Sequence, residues 1–208
     1  DMESPGLGNM LLTPDTLPTF GLLDYFAEQL ANPLDDAFFL DLVGSSRLAG
    51  GRGRVDVIPA LGKRSVDSPE NVLPKLARAY LAGSDSTAGG QTFADHLRLL
   101  VDHFSKDNRY DAIMVDARAG LHETTAAALT GLGAEIFLFG IDEPQTFAAF
   151  ELLFASLAPG LSTGDGEWRE HLHVVQAKAP LSGKKRTAFS DRIEEMQRKY
   201  FWPSPSYP

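Results

Sequence analysis

The sequence predicts an α/β fold in which a mainly parallel sheet is flanked by helices. Three apolar runs are short enough to be strands that are buried on both faces, and they lie at 110–117, 134–140 and 172–177. Helical patterns alternate with these runs, which is the order expected of a parallel sheet, and they cover 123–132, 144–157 and 187–200. The chain has 208 residues, 43% of them hydrophobic, which is enough for one such domain with a buried core.

The first half of the chain is less regular. Apolar residues at helical spacing predict helices at 20–31, 73–81 and 92–105. A β-branched run closed by a proline predicts a strand at 55–60, whereas 38–43 is either a short strand or a turn of buried helix. Glycine, proline and serine predict loops at 1–19, 44–54 and 82–90. We therefore expect a single domain over 1–200, followed by a proline-rich tail at 201–208.

The composition excludes several classes of protein. The net charge of −9 argues against a chain built mainly to coat nucleic acid, although Lys184, Lys185 and Arg186 form a local basic run. The absence of cysteine excludes disulfides and thiolate metal sites. His171 and His173 would share one face of a strand, but no third metal ligand is evident. No apolar run reaches the roughly 18 residues that span a bilayer, and the chain does not open with a signal peptide, so we expect a cytoplasmic protein.

Asp116 is the first candidate for chemistry, because it follows an apolar run and precedes a short glycine-containing turn that ends at Gly120. Ligands of open α/β sheets bind beyond the carboxyl ends of the strands. A carboxylate at that position can hold Mg²⁺ or its coordinated water beside a phosphate. The alternative is structural, with Asp116 capping the next helix and Gly120 permitting the turn. The local sequence leaves both roles open.

The stretch YDAIMVDARAGLHE resembles the Walker B region of the MinD/ParA group of ATPases, in the branch whose P-loop reads KGGVGR. The opening DMESPGLGNMLL is similar to the segment that follows the second strand in this branch. VDVIPA with the following Gly62 and Lys63, and then FLFGIDEPQTFAAFELLF, continue the resemblance in the same order over most of 1–180. The resemblance implies a P-loop NTPase fold of the SIMIBI type that binds ATP and Mg²⁺.

The resemblance also implies roles for individual residues. Asp116 matches the Walker B aspartate, which holds Mg²⁺ through water. Asp1 matches an acidic residue near the attacking water or the metal. Arg118 and Gly120 fall in the switch loop at 117–123, which responds to the γ-phosphate.

Two further groups of residues match the edge of the nucleotide site. Asp142, Glu143 and Pro144 match the loop after the next strand. Gln176 and Lys178, after the last strand, match positions that often contact the base. The resemblance further implies a homodimer that forms across the nucleotide.

One departure from the family pattern is large, because the chain contains no Gly-x-x-x-x-Gly-Lys-Ser/Thr motif. We therefore expect the first strand, the P-loop and the first helix to precede Asp1, and this chain to be a fragment; a nucleotide-free relative is the alternative. A second hypothesis is a non-catalytic interaction module that recruits an unidentified protein partner through 117–123 or its acidic surface. A third is a domain like the bacterial tyrosine kinases, which share this scaffold and need a tyrosine-clustered tail.

Overall fold

The structure is a computed structural model. It describes residue 2 and seven longer stretches of the chain, which are 6–29, 34–51, 53–81, 91–106, 109–117, 123–159 and 169–202. The chain divides into two compact units, Asp1–Arg118 and Ala119–Pro208. The predicted loop at 82–90 and most of the predicted tail lie outside the described residues. The expectation of one domain over 1–200 stays a prediction.

Unit 1 consists mainly of short helices. They are α1 (Gly6–Leu11), α2 (Leu22–Glu28), α3 (Asp36–Leu40), α4 (Lys63–Asp67), α5 (Val72–Leu81) and α6 (Phe93–Ser105). Two very short strands, β1 (Gly44–Ser45) and β2 (Asp56–Val57), pair antiparallel. The helices predicted at 20–31, 73–81 and 92–105 are confirmed as α2, α5 and α6, and the ambiguous 38–43 overlaps a helix, α3.

Helix α2 is the buried centre of unit 1. Its start is fixed because the Asp24 carboxylate accepts a hydrogen bond from the Gly21 N–H at 2.9 Å, and this satisfies one of the free donors at a helix start. Leu23, Tyr25 and Phe26 are almost fully buried. α2 packs against α5, so the apolar positions of the predicted helix do face a core.

The prediction of a loop at 1–19 is wrong at α1. Gly8 was interpreted as a loop residue, but it is buried within the helix and lies against Pro59. A Cβ added at Gly8 would lie 2.8 Å from the Pro59 Cβ. Because glycine has no side chain, α1 can approach Pro59 this closely.

The region from 44 to 60 also differs from the prediction. Gly44 and Ser45, predicted as loop, form β1, and the strand predicted at 55–60 is only two residues long. The hydrogen bonds of Asp56 explain why pairing occurs here, since its carboxylate accepts from the Ser45 hydroxyl at 2.8 Å and from Tyr110 at 2.7 Å. Arg54 pairs with the same carboxylate at 2.6 Å. These side-chain partners stabilise a strand pair that the hydrophobic pattern alone does not show.

The buried strand predicted at 110–117 is not present. Residues 112–117 belong to no helix or strand and are exposed. Met114 is 93% exposed, and Ile113 and Val115 are each more than 40% exposed. An apolar run becomes a strand only when another strand supplies hydrogen-bond partners, and none of the described strands pairs with this run.

Unit 2 contains α7 (Glu123–Gly131), β3 (Ile136–Gly140), α8 (Pro144–Leu157), β4 (Leu172–Gln176) and α9 (Gly183–Phe201). β3 and β4 form a parallel two-stranded sheet in which Ile136 pairs with Leu172 and Gly140 with Gln176. This confirms the mixed α/β class and a small parallel sheet. The predicted strands at 134–140 and 172–177 and the predicted helices at 123–132, 144–157 and 187–200 are all found; the helix at 144–157 has the predicted ends, and the ends of the others are shifted.

The core of unit 2 lies between one face of this sheet and the helices. It is formed by Leu129, Ile136, Phe147, Phe150, Phe154, Leu172, Phe189, Ile193 and Phe201. The opposite face of the sheet is open, with Phe137 56% and Phe139 69% exposed. Parallel sheets are normally covered on both faces, so this open face is unusual.

Candidate functional site

The carboxyl ends of β3 and β4 lie level with each other, because Gly140 pairs with Gln176 at the last position of the sheet. The Ala177 N–H extends the pairing by donating to the Gly140 carbonyl at 2.8 Å. Each strand is then followed by the start of a helix, α8 after β3 and α9 after β4. The two strand ends therefore share one edge, which is the usual position of a ligand in an open α/β fold.

Gly140 determines how closely α8 approaches this edge. A Cβ added there would lie 2.5 Å from the Thr146 Cγ2 and 2.8 Å from the ring of Phe150. Only a residue without a side chain fits this gap, since real Cβ atoms do not approach other heavy atoms so closely. The glycine therefore fixes the position of the first turn of α8 against the end of β3.

Asp142, Glu143 and Pro144, which the resemblance implies to be at the edge of a nucleotide site, follow β3 closely. Glu143 is the N-cap of α8 and Pro144 its first residue, where the missing proline N–H costs nothing. The Glu143 side chain does not cap the helix, and both carboxylates are exposed. These carboxylates are therefore free to contact a ligand or solvent.

Gln176 and Lys178 lie at the end of β4 and differ in accessibility. The Gln176 Nε2 atom is buried and has no hydrogen-bond partner in the described part of the chain. Lys178 is exposed and has a left-handed backbone with φ of 51°, which is uncommon for a residue with a side chain. Lys178 is thus the better placed of the two to reach a ligand outside the protein.

Asp116 belongs to unit 1 and is exposed, within residues 112–117, which form no helix or strand. Within unit 2 the structure brings Asp142, Glu143, Pro144, Gln176 and Lys178 to the edge where the two strands end. Asp1, Arg118 and Gly120 lie outside the described residues.

The structure contains a cluster that the sequence patterns did not predict, in which one carboxylate is hydrogen-bonded to two histidines. Glu135, just before β3, has one carboxylate oxygen 2.7 Å from the His171 Nδ1 and the other 2.7 Å from the His173 Nε2. The two histidine hydrogen bonds hold the pKa of Glu135 below its usual range. No group of His, Asp and Glu among the described residues is arranged to hold a metal. The hydrogen bonds of Glu135 link the residue before β3 to residues at the start of β4.

A second cluster that the sequence missed is the buried carboxylate of Asp24. Besides the Gly21 N–H, it accepts from the Ser65 hydroxyl at 3.4 Å and pairs with the Lys75 ammonium at 2.5 Å. The Asp24 side chain is 3% exposed and that of Lys75 18%. This network joins α2, α4 and α5, and its geometry indicates a structural role.

Comparison of this chain with protein families, with curated proteins and with solved structures found no match. None of the described helices is both long and apolar enough to cross a membrane.

Proposed function

We propose that this chain is part of a Mg-ATP-dependent switch ATPase of the MinD/ParA type. The observation that carries the proposal is the level parallel pairing of β3 and β4, with a helix start after each strand. This is the local arrangement of a P-loop NTPase sheet, and the resemblance of the sequence supports the same fold.

The residues present suit a magnesium nucleotide. Mg²⁺ is commonly bound by one or two carboxylates together with substrate phosphates, and Asp116 would hold it through water. Bound Mg²⁺ would neutralise negative charge on the phosphates. Asp142, Glu143 and Lys178 would border the nucleotide, and the proposal gives Asp1 the role of orienting the water that attacks the γ-phosphate in line. The triphosphate would also need a phosphate-binding loop, which these 208 residues do not contain.

The test compares Mg-ATP binding by this chain and by a longer version that carries a strand and a Lys-Gly-Gly-x-Gly-Lys/Arg-Thr loop ahead of Asp1. We expect calorimetry to detect binding by the longer protein only. In that protein Asp116→Asn should slow hydrolysis roughly a hundredfold, because the Mg²⁺ that neutralises the phosphates would lose the carboxylate that holds it. Asp111→Asn is the matched control, since Asp111 is a carboxylate in the same exposed stretch, 111–117.

Either of two results would refute the proposal. The first is that neither protein binds Mg-ATP. The second is that Asp111→Asn slows hydrolysis as much as Asp116→Asn, since the aspartate would then have no specific role.

The second candidate function is a non-catalytic interaction module, and the exposed apolar residues favour it. Phe137 and Phe139 are exposed side by side on the open sheet face, and large exposed apolar patches commonly mark protein interfaces. This candidate predicts no Mg-ATP binding by either protein in the same titration.

A further inference from the structure

The connection from β4 to α9 ends in an exposed basic surface, which we call the basic turn and define as Leu181, Lys184, Lys185 and Arg186. Leu181 is fully exposed, and the three cations, which lie in the first turn of α9, are exposed as well. No aspartate or glutamate occurs between residues 171 and 190. The basic turn is thus a local concentration of positive charge on a chain whose net charge is −9.

The described residues give the cations of the basic turn no partner that would stabilise the fold. None of the three forms an ion pair within the described residues. They also lie at the end of α9 where the helix dipole is positive, so they oppose the dipole. Later cations of the same helix behave differently, since Lys199 pairs with Glu151 at 2.6 Å and Arg192 lies 3.8 Å over the Phe147 ring.

We propose that the basic turn docks a short acidic segment of a partner protein, which also presents apolar surface to Leu181. Charge complementarity selects an acidic partner, because the three cations are exposed in one helix turn and form no ion pair with any residue that the structure describes. Leu181 adds a requirement for an apolar contact, which a nucleic-acid backbone does not offer. The partner is therefore an amphipathic acidic peptide.

The net charge of the chain favours a compact partner over an extended polyanion. Charges are screened beyond a Debye length of about 8 Å at physiological salt, so a short peptide on the basic turn responds mainly to the local cations. A membrane or a nucleic acid is much larger than the basic turn and would also respond to the net charge of the chain, which is −9. Repulsion from this net charge would weaken binding of either.

The test measures the fluorescence anisotropy of a labelled peptide that is rich in glutamate and has a central leucine. The triple variant Lys184→Glu/Lys185→Glu/Arg186→Glu should weaken its binding at least about tenfold, because local attraction becomes repulsion. Leu181→Ser should weaken it roughly fivefold or more through lost apolar burial.

The control is a second triple variant with the same change in net charge, made at exposed cations elsewhere, Lys63→Glu/Arg78→Glu/Lys106→Glu. It should change the affinity less than about twofold, because it alters the net charge equally but leaves the three cations of the basic turn in place.

Four results would overturn the proposal. These are no binding of the peptide, equal losses in the two triple variants, no effect of Leu181→Ser, and tighter binding to phosphatidylserine vesicles or duplex DNA than to the peptide. The circular dichroism spectrum of each variant is compared with that of the wild-type protein, and a matching spectrum establishes that the variant is folded.

Discussion

The Asp24–Lys75 ion pair provides the most direct test of how unit 1 is held together. The Asp24→Ala substitution removes the only carboxylate in contact with Lys75 in the described part of the chain, and it leaves the Ser65 hydroxyl and the Gly21 N–H without their acceptor. Breaking a buried pair by removing one partner costs about 3–5 kcal/mol. We expect a value near 3 kcal/mol, because the Lys75 side chain is 18% exposed and can turn to water.

Native-state hydrogen exchange measures this loss locally. A loss of about 3 kcal/mol accelerates exchange through opening of the unit by roughly a hundredfold. This acceleration should occur in peptides from α2 and α5, whereas peptides from α8, which belongs to the other unit, should keep their rates. Equal acceleration in α8, or a change in α2 corresponding to less than about 1 kcal/mol, would refute the assignment of a buried structural pair.

Two further substitutions complete this test. In the double variant Asp24→Ala/Lys75→Met the unpaired ammonium is gone, so the total loss should be smaller than the sum of the single losses by about 1–3 kcal/mol. Strict additivity would mean that the two side chains do not interact. Arg47→Gln is the exposed control, since Arg47 and Asp15 are 3.5 Å apart and mostly solvent-exposed, and its cost should stay below about 0.5 kcal/mol.

The remaining predictions concern packing in unit 2 and ionisation in unit 1. Gly140→Ala should destabilise unit 2 by about 1–3 kcal/mol, because the added methyl group would overlap Thr146 and Phe150. Gly183→Ala is the control and should be neutral or slightly stabilising, because a Cβ there would have no atom within 4 Å. Urea unfolding followed by tryptophan fluorescence compares the two variants, and equal unfolding midpoints would contradict the packing argument. Burial raises the pKa of Tyr25 to about 12, against a smaller lowering by its hydrogen bond with Gln29. Because the folded pKa exceeds the unfolded value of about 10, the stability that Tyr25 contributes is fully present below pH 10 and is lost as the pH rises through 12. Phenolate absorbance should show this late titration in the native protein but not in Tyr25→Phe, and an identical curve for the two proteins would contradict it.

Elements that depend on local pattern could be predicted from the sequence. The α8 helix was predicted with both ends correct because Pro144 marks its start and a continuous apolar stripe follows. The α6 helix was predicted within a residue because Thr92 and Asp95 form a capping box. The runs that became β3 and β4 were recognised because each is a short apolar segment between helices.

Features that depend on distant partners could not be predicted. Asp24 is 51 residues from Lys75, and Glu135 is 38 from His173, so no local pattern joins either pair. The apolar run at 110–117 has the composition of a buried strand, but composition does not supply the neighbouring strand that it needs. At the candidate site, the order of the chain was enough to place Asp142 and Lys178 after strand ends, but not to show that Gln176 has a buried amide.

The open face of the β3–β4 sheet should be detectable with a fluorescent dye. Dyes such as anilinonaphthalene sulfonate fluoresce when they bind accessible apolar surface, and this signal is commonly used to detect loosely packed states. Phe137 and Phe139 offer such a surface in the folded protein, with the ring of His173 stacked 5.0 Å from that of Phe137. The native protein should therefore bind the dye, and quenching of its fluorescence would report directly when another molecule covers this face.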